Sequence, residues 1–81
     1  MKHQAACDLF DVVLKHSHKG FFIDPLIEPE DRTINITMWP QGIRKGADMW
    51  TETVSWDDED ALIKLRERIL SEKRHQERLA A

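Results

Sequence analysis

One cysteine, Cys7, rules out an intramolecular disulfide, so no covalent staple holds this chain together. Apolar runs last only a few residues, far short of the roughly 20 that a membrane-spanning helix requires. Asp8 stands where a signal peptide would need its apolar segment. An intracellular, cytoplasmic, reducing setting away from membranes is therefore expected. Glycine is scarce, and Gly42 and Gly46, with Arg44 and Lys45 between them, do not match a phosphate-cradling loop. There is no repeat, linker or low-complexity segment.

What remains is 81 residues, 41% hydrophobic and 33% charged. That balance suits a folded globular protein and is too apolar for a disordered one. The expectation is one domain over 1–81. A chain this short buries about 60% of its unfolded surface and leaves little room for an internal cavity beside its core, so it is expected to work through its surface. The net charge of −3 is unevenly placed. Residues 1–60 carry an acidic excess of six and residues 61–81 a basic excess of three. The chain is dipolar, and a uniform attraction to nucleic acid or anionic membrane is not supported.

The stretch Thr33–Trp56 organises the sequence. Two alternating runs, each with aromatic residues, flank a loop bearing Pro40, Gly42, Arg44, Lys45 and Gly46, which is a β-hairpin pattern. On the first run Ile34, Ile36 and Met38 share one face and Thr33, Asn35, Thr37 and Trp39 the other. On the second, Trp50, Val54 and Trp56 share a face with Glu52, and Met49, Thr51, Thr53 and Ser55 take the opposite one. Residues 20–24 predict a preceding strand that Pro25 confines to the sheet edge or breaks at a bulge, followed by a turn over 28–32.

Helices bracket this unit. Residues 4–18 carry Ala6, Leu9, Phe10 and Val13 at helical spacing, widened by Ala5 and Val12. Gly20 is the expected left-handed cap, with His16 and His18 in the last turn. A second helix opens near Asp57, with Ser55 or Asp57 as N-cap and Asp58 or Asp60 completing a capping box. Leu62, Leu65 and Ile69 form its buried stripe. Residues 71–81 read as a helical tail prone to fray, supported by exposed pairs such as Lys73–Glu77. The predicted fold is α+β: a two-layer α-β-β-β-α domain in which both helices pack on one face of a three-stranded antiparallel sheet.

This element order is also that of the double-stranded-RNA-binding domain, and the likeness stops at topology. That domain grips phosphate with basic residues at the start of its second helix, where this chain has Asp57, Asp58, Glu59 and Asp60. The nucleic-acid alternative therefore rests on Arg44 and Lys45 of the hairpin loop with Arg66, Lys73, Arg74 and Arg78, which are interleaved with acids as on an ordinary solvated helix face.

No catalytic set is legible. Cys7 has His3 one turn away but no oxyanion loop, and the acidic run at 57–60 is explained by helix capping. His16 and His18 lie two apart and point apart on a helix. With His3 and Cys7 they make no complete metal-ligand set. The expectations are no enzyme, no cofactor and no metal.

Trp39, Ile43, Arg44, Lys45 and Met49 at the hairpin tip could form a partner-binding patch, an apolar centre with a basic rim of the kind enriched at binding hot spots; the alternative is that Trp39 tucks against the loop or the first strand and completes the core. A second candidate surface is acidic: Asp24, Glu28, Glu30, Asp31 and Asp48. The leading expectation is a small inhibitor, adaptor or accessory module that binds a larger protein or complex, as monomer or homodimer. Phage and mobile-element products that block host defence, anti-CRISPR proteins among them, belong to this size class.

Overall fold

The computed structural model describes residues 3–80. The order is α1 (Gln4–His16), β1 (Phe22–Glu28), β2 (Thr33–Trp39), β3 (Trp50–Ser55) and α2 (Glu59–Ala80). The sheet is antiparallel with β2 between β1 and β3, and both helices lie on one face. This is the predicted α+β architecture. Among the described residues no helix is long and apolar enough to cross a membrane.

Strand β2 divides the molecule. Ile34, Ile36 and Met38 are at most 1% exposed, while Thr33, Asn35, Thr37 and Trp39 alternate with them on the open face. Leu9, Val12 and Val13 of α1 and Leu62, Leu65 and Ile69 of α2 close over the buried set. Each such side chain removed from water contributes about 1.5–3 kcal/mol, and among the described residues no polar residue is fully buried, although Trp50 Nε1 and Arg66 Nε are buried without a hydrogen-bond partner. Val12 sits in the core and Phe10 flanks it, the reverse of the weight the sequence pattern assigns them.

Trp50 and Trp56 are on the core side as expected, yet both are half-buried at its rim. Each is covered by an arginine. The Arg68 guanidinium lies 3.7 Å from the Trp50 ring centroid and is bridged to Glu52 at 2.7 Å. Arg32 lies 5.2 Å from the Trp56 ring and makes a two-pronged contact to Asp57, at 3.0 Å on each oxygen. Glu52, which alternation places on the core face opposite Ile36, is thereby kept at the edge with its charge matched.

Several local expectations are corrected. Gly20 does not cap α1. The helix ends at Ser17, whose extended backbone carries its N–H to the Val13 carbonyl. The Ser17 hydroxyl then accepts from the Ile23 N–H at 3.0 Å and donates to the Ile23 carbonyl at 3.3 Å. This side-chain bridge ties the helix end to β1, so a left-handed glycine is not needed. His18 consequently lies outside the helix. Strand β1 runs through Pro25 to Glu28, because an edge strand needs no proline donor on its free side. Strand β3 begins at Trp50, which leaves Met49 in the loop.

The N-cap of α2 is Asp58, whose carboxylate accepts from the Ala61 N–H at 3.1 Å. Asp57 is engaged by Arg32 instead. Ser55 accepts from the Asp57 N–H and holds the turn before the helix. Helix α2 continues to Ala80. Lys73 does not pair with Glu77. It lies over the Phe21 ring, 4.9 Å from the centroid, which removes its charge from the i,i+4 geometry.

Candidate functional site

The open face of the sheet is built by parity. Phe22, Asp24, Leu26 and Glu28 of β1 lie beside Trp39, Thr37, Asn35 and Thr33 of β2, and Thr51, Thr53 and Ser55 of β3 continue the rows. Its centre is polar and cross-linked. The Asn35 amide donates to the Thr53 hydroxyl at 2.7 Å, and the Thr37 and Thr51 hydroxyls meet at 3.3 Å. One end is aromatic: Phe22 and Trp39 pack edge to face with ring centroids 5.6 Å apart. Such a pair holds both rings in one orientation and contributes about 0.5–1.5 kcal/mol beyond its buried area.

The loop joining β2 to β3 is fastened at this same end. The Gly42 N–H closes a turn on the Trp39 carbonyl at 3.0 Å, and the Ala47 N–H closes a second on that of Arg44. Gly42 has φ +82°, and a β-carbon there would lie 2.5 Å from the Lys19 carbonyl oxygen. Only glycine permits this approach, so the loop seats against the turn between α1 and β1. Ile43, 61% exposed, then lines a shallow hollow with Phe22, His18 and Lys19. Arg44 donates to the Gln41 side chain at 2.8 Å and projects toward the end of α2.

Of the hairpin-tip residues singled out in the sequence, Trp39 is half-buried against Phe22, and Ile43, Arg44, Lys45 and Met49 are exposed. The strand ladder stops at the Met38–Trp50 pair, so Met49 has no paired position opposite Trp39. The ring that packs on Trp39 is Phe22, on the other side of β2. The sequence reading missed Phe22 because Phe21 and Phe22 are adjacent, and parity along an edge strand is ambiguous until its register is known.

The acidic candidates are not gathered. Glu28, Glu30 and Asp31 cluster at the β1–β2 turn. Asp48 lies in the loop at the opposite end of the sheet, about 20 Å away over seven strand residues. Asp24 sits opposite Thr37, between the two ends.

The basic residues divide as well. Arg66 meets Glu67 at 3.2 Å and, like Lys73, flanks the buried stripe of α2. Arg74 and Arg78 are exposed, on the far side of the helix by its rotation of about 100° per residue. Arg44 and Lys73 do line one cleft, of about 500 Å³, together with His18, Gln76 and Glu77.

A further apolar groove of about 300 Å³ runs between α1 and the sheet, lined by Cys7, Phe10, Ile27, Ile34 and Trp56. Ile27 is 50% exposed there. Cys7, Phe10 and Leu14 recur at spacings of three and four along one side of α1, a signal present in the sequence but overshadowed by the deeper stripe. Cys7 is a free, exposed thiol. His16 is half-buried. Burial, with help from Lys73 and Lys15, holds its pKa below the usual imidazole value, against the opposing pull of Glu77 and Asp11. Among the described residues, no three His, Cys, Asp or Glu side chains converge in a way that would hold a metal ion.

No protein-family model, curated protein or solved structure matches this chain.

Proposed function

We infer that this protein is a non-enzymatic binding module that docks on a larger protein partner through the aromatic end of its open sheet face. The observation that carries the reading is the Phe22–Trp39 pair on the face away from both helices, at the end where the seated loop exposes Ile43 and Arg44. Two interlocked aromatic rings and the exposed Ile43 side chain form a pre-organised contact surface, with Arg44 at its edge on the side toward α2. Little side-chain entropy remains to be lost on docking. Trp and Arg are also the residues that most often dominate binding energy. The Thr and Asn rows beside the pair supply hydroxyls and an amide as a polar rim. A small inhibitor or accessory factor that occupies a site on a host complex is the kind of protein this surface suits.

The test is affinity capture from the native host with tagged wild type beside Trp39→Ala and Arg44→Ala. The expected result is a partner retained by wild type and lost from both variants, whose circular dichroism and melting remain cooperative. If Trp39→Ala fails to fold, the tryptophan is a core residue and the reading fails. Fluorescence polarisation with duplex RNA and DNA at low salt gives the opposing outcome. Saturable binding that weakens steeply with salt marks a phosphate-binding protein and overturns a protein-docking role.

A further inference from the structure

We propose that the cleft between the α1–β1 turn and the last turns of α2 is a binding site for an oxyanion, a phosphate or carboxylate group. The argument starts from His18. Its Nδ1 accepts the Gly20 N–H at 3.1 Å. A neutral imidazole has one accepting and one donating nitrogen, so while Nδ1 accepts from Gly20 the ring has only a donor to offer at Nε2. Nε2 lies 3.4 Å from the Lys73 ammonium, which has three donors and no acceptor. Reversing the tautomer only moves the conflict, since Nδ1–H would then face the Gly20 N–H. Within this contact two donors point at one another with no acceptor between them.

An oxygen with free lone pairs resolves the conflict by accepting from both. The surroundings favour a negatively charged one. Lys73 lies over the Phe21 ring, Arg44 lines the same cleft and is hydrogen-bonded to Gln41, and Gln76 lines the wall. Charge-assisted bonds from Lys73 and Arg44 are the strong kind. Glu77 is the one carboxylate side chain lining the cleft among the described residues. It makes no ion pair among the described residues, and it competes with the ligand. The site borders the protein-docking surface. It shares Arg44 with that surface but rests on His18 and Lys73, which the docking reading does not use.

The experiment is a titration of the 15N-labelled full chain with inorganic phosphate, and separately with acetate, at constant ionic strength. Backbone and imidazole resonances are followed. Saturable shifts centred on the Gly20 amide and the His18 ring are expected with at least one anion. Phosphate alone assigns a phosphate group, and acetate alone a carboxylate. Lys73→Met, which still covers Phe21, weakens binding by about tenfold, as the loss of one charge-assisted bond implies. Lys73→Arg restores most of it, and Glu77→Gln strengthens it. The absence of saturable shifts in both wild type and Glu77→Gln overturns the proposal. So does binding that Lys73→Met leaves unchanged while the variant melts like wild type.

Discussion

The two faces of β2 are made from alternate residues of a single seven-residue strand, yet they answer to different physics. On one, Ile34, Ile36 and Met38 are sealed by two helices. On the other, Thr33, Asn35, Thr37 and Trp39 keep partial access to water, and their contacts run sideways through hydroxyls, an amide and an aromatic pair. The covered face owes its energy chiefly to area removed from water, a non-directional effect. The open face owes little to burial and much to orientation. A residue on the first face is explained once the core is explained. On the second, Trp39 and Phe22 pack on one another away from the helix-covered core, and that position is what the docking proposal rests on.

The most severe way to break the covered face is Leu65→Asp. Leu65 is 0% exposed, and an unpaired carboxylate there costs several kcal/mol, comparable to the whole stability of a small domain. Loss of the cooperative thermal transition is expected by circular dichroism. Next in size is a matched pair on β2. Ile36→Ala removes a fully buried side chain and costs about 2–5 kcal/mol. Its neighbour Thr37→Ala loses partly exposed hydroxyl contacts worth about 1 kcal/mol or less. Urea melts of the two variants measure the asymmetry directly, and equal losses would dissolve the distinction between the faces.

Gly42→Ala probes how the open face is anchored. The added methyl collides with the Lys19 carbonyl at a positive φ, costing about 1–3 kcal/mol. The loop should lift from the α1–β1 turn, and amide exchange should quicken at Lys19–Gly20 and in the loop before it does in β2.

The smallest effect is pH-dependent and reports on the covered side, where α1 meets the end of α2. His16 has a pKa lowered in the folded state, so the unfolded chain binds the proton more readily. Stability from this group is intact above the ordinary imidazole value of 6.5. It declines as pH falls through that value toward the lower folded one. Melts between about pH 8 and 5 should show wild type losing more stability on acidification than His16→Gln.

Much of this was legible in the sequence because it is periodic. Alternation in 33–39 and 50–54 and helical spacing in 6–13 and 62–69 follow from the need to bury apolar groups on one side, so they yielded the elements, their order and both faces of β2. What the sequence left open concerned pairing between distant residues. The side chain that supports Trp39, the arginines that cover Trp50 and Trp56, and the lysine that leaves Glu77 for Phe21 are separated in the chain by 17 to 52 positions. Arg32 could not be assigned to Asp57 and Trp56, nor Ser17 to Ile23, from local pattern.

By itself, then, the sequence determined an unstapled two-layer domain and set Trp39 on the face away from the core, because side-chain direction along a strand is a local property of the backbone. Only the tertiary structure decided that Phe22 meets Trp39, that the loop seats on the α1–β1 turn, and that His18, Arg44 and Lys73 converge on one cleft. Each of these depends on strand register and on the approach of segments far apart in the chain, which local periodicity does not encode.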